Sequence, residues 1–413
     1  MVRSLSKGLG YMEEARSATE ITSLGWNLLR EDLSLPTAVL YQDKLEHNLQ
    51  WMKKFASAYG VALAPHGKTT MAPKLFMRQM QAGAWGMTLA TAHQCRVAYE
   101  HGVRRILMAN QLVGRPNMET IAHLLEDSDF EFFCLVDSAE LVDLLGRFFQ
   151  TRGQRLNVLL ELGAEDGRTG VRDREQLERV LSALSRWKAQ IALCGVEVYE
   201  GVLKDEASIR KFLHHGLEVT RELAQKNRFD RAPIILSGAG SAWYDVVADI
   251  FSKADVGRLF EVVLRPGCYL THDVGVYRDA QQQIKIRNPV AREMESSLVP
   301  ALQLWAYVQS VPEKNKAILG LGKRDAAFDA GLPVPALHYR PGEAGPKAAP
   351  GAWQLTKMMD QHAYLHIPTG ENIRVGDMIG LDISHPCLTF DKWRYLPVLD
   401  SAHRVIDVVE TFF

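Results

Sequence analysis

Three short stretches carry side chains whose types and spacing suit covalent or Lewis-acid chemistry. The first, Ala64-Pro65-His66-Gly67-Lys68-Thr69-Thr70, closes an apolar run that starts at Val61. A lysine leaving an apolar strand is a candidate for a depressed pKa and Schiff-base chemistry. Position alone does not separate Lys68 from a surface lysine whose stem lies across apolar neighbours. The second comprises two glycine-rich turns, Ser237-Gly238-Ala239-Gly240-Ser241 and Arg265-Pro266-Gly267-Cys268-Tyr269. Glycine lets backbone N–H groups close on an anion, so Gly238, Gly240, Ser241, Gly267 and Cys268 are candidate phosphate contacts. Either turn alone is readable as an ordinary tight turn, but the two together, after the last two apolar runs, favour phosphate binding. The third is Ser384-His385-Pro386-Cys387. As an extended segment it points His385 and Cys387 to one face. Imidazole with thiolate suits Zn²⁺ and leaves positions for water or substrate. The alternative is a buried histidine and an inert cysteine on either side of a proline.

A scaffold must bring these distant stretches together. Short apolar runs begin at Val61, Trp85, Arg105, Phe132, Asn157, Cys194, Pro233 and Val262. Each ends in a polar or glycine-rich turn, the mark of a strand buried on both faces. The segments between them read as helices. Pro73 to Gly83 opens on proline and closes on glycine, and Ser138 to Phe149 opens on a serine cap. Eight strand–helix units over roughly 200 residues predict an α/β fold, a closed (β/α)8 TIM-type barrel. Its catalytic groups lie at the strand C-termini, with phosphate held after the seventh and eighth strands. An open doubly wound sheet competes, but no GxGxxG follows the first strand. Beyond about Arg278, strand-like runs from Ala301, Lys316, Ala363, Ile373 and Tyr395 predict a C-terminal antiparallel β domain. The expected units are 34–277 for the barrel and 278–413 for the β domain, the latter joined by 1–33. The stretch 340–351 reads as an exposed loop.

A chain of 413 residues exceeds one usual core. Its net charge of −1, with both signs mixed throughout, argues against a nucleic-acid or membrane-surface partner and leaves a small molecule. Cys95, Cys134, Cys194, Cys268 and Cys387 are odd in number and widely spaced, which suits a reducing cytoplasm. Met1 to Gly25 lacks the apolar core of a secretory leader, and no membrane span is expected. Polar residues at other strand ends are Thr91, Asn110, Asp137, Arg168 and Tyr199. Arg168 and Tyr199 are candidates for contact with a cofactor ring, and each could equally be a cap or a structural hydrogen bond. His93, His101, His214, His215 and His403 show no pairing pattern and are read as structural.

The residues also carry a family pattern. It runs through Leu35-Pro36-Thr37-Ala38-Val39-Leu40-Tyr41 with Asp43, Pro65-His66-Gly67-Lys68-Thr69-Thr70, Gly163 with Arg168-Thr169-Gly170, and Tyr199-Glu200-Gly201. It continues through the two glycine turns with Asp273 and ends on His385 and Cys387. From residue 35 onward the chain resembles the D-serine dehydratase and D-threonine aldolase group of pyridoxal-phosphate enzymes, whose fold is that of alanine racemase. The resemblance implies that Lys68 carries pyridoxal 5′-phosphate as a Schiff base and removes the Cα proton. It implies that the glycine turns hold the phosphate, that Arg168 and Tyr199 lie near the cofactor, and that His385 and Cys387 bind Zn²⁺. D-threonine aldolases typically carry His-x-Asp at this last motif and eukaryotic-type D-serine dehydratases His-x-Cys. Cys387 therefore favours an ammonia-lyase: zinc-assisted β-elimination of a D-β-hydroxy amino acid such as D-serine to a 2-oxo acid and ammonia. The rival within the class is an aldolase acting on D-threonine or 3-hydroxy-D-aspartate. Outside it stands a non-catalytic pyridoxal-phosphate homeostasis protein, which would lack the β domain. A head-to-tail homodimer is also implied. The chain departs from the pattern at Ala64, where many relatives have arginine, and at Thr70, where many have histidine. Substrate recognition is therefore expected to differ from that of D-serine dehydratase itself.

Overall fold

The computed structural model describes residues 2, 6–253 and 259–413. Parts of the expected 1–33 and 34–277 units, residues 1, 3–5 and 254–258, lie outside the described residues. Each of the eight apolar runs overlaps a strand: Ala62–Leu63, Met87–Leu89, Arg105–Gln111, Glu131–Val136, Leu156–Leu162, Ile191–Val198, Ile234–Gly238 and Phe260–Leu264. From Met87–Leu89 onward each pairs in parallel with the next, and the last pairs with the first through Ala62↔Val263 and Leu63↔Leu264. The remaining gap closes where the Trp85 and Thr88 N–H groups donate to the carbonyls of Leu63 (2.7 Å) and Pro65 (2.9 Å).

The runs are apolar throughout because both faces are covered. Leu107, Phe133, Leu135, Leu159, Ile235 and Val263 fill the barrel interior. Their alternating neighbours Ile106, Phe132, Cys134, Val158 and Leu160 pack outward under the helices. The helices start where local chemistry satisfies their first N–H groups. Pro73 opens Pro73–Gln81, and Ser138 accepts from the Leu141 N–H to cap Ala139–Arg152, which ends on Gly153 at φ 63°. Among the described residues no helix is long and apolar enough to cross a membrane.

The second sheet is built on Leu302–Glu313, which pairs antiparallel with Met378–Asp382 and with Thr37–Tyr41. Thr37–Tyr41 also runs parallel to Tyr395–Leu399. The family's opening strand, which the expected boundary at residue 34 counts with the barrel, thus makes its hydrogen bonds in the second sheet. Residues expected to begin the β domain at 278 are instead helical, Val276–Arg287 and Pro289–Glu293. In Val276–Arg287 only Gln281 and Ile284 are buried, so the segment carries almost no apolar period to read. The amino-terminal stretch lies on the second sheet, where Leu9, Met12, Ile21, Leu28 and Leu33 share a core with Val39, Tyr41 and Trp305. Within 340–351, Lys347–Ala348 adds a short strand against Leu337 and His338.

Candidate active site

Ala64 to His66 leave the first barrel strand, and Gly67–Thr69 turns once as a 3₁₀ helix. A Cβ on Gly67 would sit 2.8 Å from Phe76 and 3.0 Å from Leu89, so only glycine lets this turn press against the barrel wall. Lys68 consequently faces a cavity of about 320 Å³ at the C-terminal end of the strands. Burial lowers its pKa, an effect opposed by the Cys387 thiol and reinforced by Arg168. Arg168, Tyr199, Gly240, Ser241, Gly267, Cys268, His385 and Cys387 line the same cavity. Gly238 does not. It lies within its strand, where a Cβ would crowd Val247 at 3.1 Å and Val198 at 3.2 Å, so its lack of a side chain serves packing.

The two glycine turns are tied to internal acceptors. The buried Glu200 carboxylate accepts from the N–H groups of Ala239 (3.1 Å) and Gly240 (2.7 Å). The Ser241 hydroxyl accepts from the N–H groups of Gly267 (3.1 Å) and Cys268 (3.0 Å). The Gly240 N–H, expected at a phosphate, is thus directed to Glu200. Gly267 is required by close approach, since a Cβ there would meet Thr69 Oγ1 at 2.5 Å and the His66 carbonyl at 2.8 Å. His66 Nδ1 is buried without a partner beside this contact, and burial holds the imidazole neutral.

Arg168 lies over the Tyr199 ring, 4.7 Å from its centroid. Its loop is fixed by Thr169 donating to Glu161 (2.6 Å) and by the Gly170 N–H donating to Asp137 (3.0 Å). Asp137 is therefore a structural acceptor, and Thr91 is a helix cap. Arg265 pairs with Glu197 at the cavity floor and donates to the Val198 carbonyl at 3.1 Å. Burial pushes the Glu197 carboxyl up to about 8 against the pull of Arg265. Glu197 escaped the sequence reading, although a carboxylate inside an apolar strand run was the available signal, while Glu200 stood in the family pattern without a role.

At the candidate metal-binding segment, Pro386 has φ −61° and ψ −48°, and Cys387 opens the short helix Cys387–Phe390. The segment is a helical turn rather than the expected extended chain, because proline's fixed φ suits a helix start. His385 Nδ1 lies 2.7 Å from Asp329 Oδ2, and Ser384 donates to the Gly331 carbonyl at 2.5 Å. These bonds clamp 329–331 onto the motif, and with Nδ1 held by Asp329 the second imidazole nitrogen is left for Cys387. The Cys387 sulfur faces that of Cys268 at 3.8 Å and Thr69 Oγ1 at 3.5 Å. Hydrogen bonding from Cys268, then from His385, holds the Cys387 thiol well below its usual range. Imidazole and thiolate suit a soft divalent ion. Among the described residues, no three or more His, Cys, Asp or Glu side chains already surround a common point. Tyr277 and Asp329 also belong to the site, and no sequence motif pointed to them.

The chain is similar to a D-threonine aldolase of Arthrobacter sp, 22% identical over 365 residues covering 86% of each chain. It is also similar to a D-threo-3-hydroxyaspartate dehydratase of Delftia sp. (strain HT23), 28% identical over 139 residues covering 34% of this chain and 36% of that one. Among solved structures, the D-threonine aldolase from Filomicrobium marinum superposes with a TM-score of 0.78 at 22% identity, covering 94% of this chain and 97% of that one. The Delftia dehydratase gives 0.73 at 20% identity, covering 94% and 99%. Alanine racemase from Clostridium difficile 630 gives 0.63 at 13%, covering 92% and 99%. These likenesses show an alanine racemase-like fold, a barrel joined to an antiparallel β domain. The putative serine dehydratase domain matches residues 301–399. The alanine racemase N-terminal domain matches 40–270, more than half of the chain, and it is to this family that the chain belongs.

Proposed function

We propose that the chain is a pyridoxal 5′-phosphate-dependent lyase that removes the β-hydroxyl of a D-β-hydroxy amino acid such as D-serine, giving a 2-oxo acid and ammonia. The observation that carries this reading is convergence: Lys68, Arg168, Tyr199, Ser241, Gly267, Cys268, His385 and Cys387 line one cavity. The residues fit the cofactor. The cavity offers the Lys68 amine, the Ser241 hydroxyl and, at the lining His66, a buried Nδ1 without a partner. Lys68 would hold the cofactor's carbonyl carbon, the Ser241 hydroxyl between the two glycine turns its phosphate, and Arg168 with Tyr199 its ring. Bound there, it supplies an electron sink for breaking a bond at the substrate Cα. His385 and Cys387 would hold Zn²⁺, which supplies Lewis acidity toward a hydroxyl.

The chain's own residues do the rest. Burial favours the neutral Lys68 amine, so its Nζ can take the Cα proton. Cys268 and burial keep the Tyr277 hydroxyl protonated, which makes it a donor inside the cavity. Arg265 is held in the cavity wall by Glu197 and the Val198 carbonyl. Homodimer formation is part of the proposal. Val276, Phe328 and Leu388, each next in sequence to a site residue (Tyr277, Asp329 and Cys387), are exposed and would be covered by a second copy. Light scattering that gave a monomer mass would remove that element.

The relatives named as aldolases favour a second reading, cleavage of Cα–Cβ to glycine and an aldehyde. Product analysis separates the two. Zinc-loaded protein is given D-serine, D-threonine and 3-hydroxy-D-aspartate, and oxo acid and glycine are assayed apart. Oxo acid with ammonia, lost on chelation, supports elimination; glycine with aldehyde overturns it.

A further inference from the structure

Cys268 behaves unlike the other buried cysteines. Cys95 and Cys134 are fully buried in the apolar core around the barrel, where sulfur serves as a small hydrophobe. Cys268 is only 3% exposed, yet it lines the cavity and faces a second sulfur, Cys387, at 3.8 Å. The two sulfurs come from opposite halves of the fold, 119 positions apart. Cys268 begins a one-turn helix after the last barrel strand, and Cys387 begins one within the second sheet's domain. Both backbones are pinned. The Cys268 N–H donates to Ser241, and the Cys387 turn is held by Thr389 donating to the His385 carbonyl at 2.9 Å. Thr69 Oγ1 stands beside both sulfurs, 3.5 Å from Cys387 and 4.0 Å from Cys268.

A tetrahedral zinc ion holds each thiolate at about 2.3 Å, so two of its thiolates lie about 3.8 Å apart. The sulfurs of Cys268 and Cys387 already stand at that spacing. We propose that Cys268 is a second thiolate ligand, so that His385, Cys387 and Cys268 together bind the metal. This rests on the reading of His385 and Cys387 as metal ligands given above. The two sulfurs are preset, and His385, its Nδ1 held by Asp329, lies one residue before the turn that carries Cys387. Two thiolates neutralise a divalent charge and select a soft ion over magnesium or calcium. Three protein ligands leave one position open, the pattern of a catalytic rather than a closed structural zinc site.

The test counts sulfurs directly. Full-length holoprotein, stripped with a chelator and reloaded with one equivalent of zinc under reducing conditions, is measured by X-ray absorption at the zinc edge. Two sulfur neighbours are expected in the wild type and one in Cys268→Ser, with zinc affinity at least about 10-fold weaker in the variant. One sulfur in the wild type overturns the proposal while the two-ligand metal site stands. Failure to retain zinc at all overturns both. A Cys268–Cys387 disulfide found by peptide mapping of freshly purified, zinc-containing protein would also overturn it, marking the pair as redox partners. The wild-type count decides the matter even if the variant does not fold.

Discussion

The contact between the Lys68 loop and the turn carrying Cys268 depends on Gly267 having no side chain, which makes Gly267→Ala a quantitative probe of the site. The new Cβ would lie 2.5 Å from Thr69 Oγ1, 2.8 Å from the His66 carbonyl oxygen and 2.9 Å from His66 Cβ. Two of these three atoms are backbone or Cβ and cannot rotate away. The cost is therefore expected in the upper part of the overpacking range, about 2–3 kcal/mol. With an unfolding entropy of about 2.1 cal/mol/K per residue, a chain of 413 residues melting as a unit loses about 2–4 °C in Tm. The larger effect falls on function, because relief of the clash separates the two loops by a fraction of an ångström to about 1 Å. A displacement of that size at a reacting centre costs on the order of 10²-fold in rate. Gly345→Ala is the control: nothing lies within 4 Å of the place its new methyl would take and its φ is not positive, so stability should stay within about 0.5 kcal/mol. Differential scanning calorimetry and a cofactor titration followed by absorbance read both effects. If Gly267→Ala melts with the wild type and binds cofactor equally well, the close-approach argument is wrong.

Lys68→Ala should reduce turnover at least about 10³-fold and abolish covalent retention of the cofactor after borohydride reduction, as mass spectrometry would show; retained covalent cofactor would move its attachment elsewhere. Asp329→Asn should weaken zinc binding by about 10–100-fold while leaving the fold intact, because it loosens the 2.7 Å contact that orients His385; unchanged affinity in a competition titration would make Asp329 a bystander. Burial of His272 lowers its pKa from 6.5 to about 4, so the unfolded chain binds the extra proton first. Stability is then lost as pH falls through the window from about 6.5 to 4, by at most about 3 kcal/mol. His272 also sits at φ 49°, which asparagine tolerates, so His272→Asn should flatten this part of the urea-measured pH profile. An equally steep profile in the variant would assign the loss to other groups.

The barrel was legible in the sequence because burial on both faces leaves strands as unbroken apolar runs closed by turns, and that pattern is local. Lys68, His385 and Cys387 stood out as candidates because few side-chain types can do amine or metal chemistry, and the fold brings all three to one cavity. What periodicity cannot report is a partner. Thr37–Tyr41 reads as a strand from its own residues, but its sheet is chosen by Leu302–Glu313, more than 250 positions later. Val276–Arg287 has too few buried residues to announce itself, and Pro386 turned an apparent extended pair into a helical one.

The finer chemistry was decided only in three dimensions. Glu200 and Ser241 take the N–H groups of the glycine turns because folding places acceptors there, 39 and 26 positions away in the chain. Asp329 reaches His385 across 56 positions and Cys268 reaches Cys387 across 119. By itself the sequence determined which segments must be buried and which residues could react, since both are properties of side chains and their near neighbours. The tertiary structure alone decided which groups face one another, because hydrogen bonds and ligand spacings act over a few ångströms of space and are indifferent to distance along the chain.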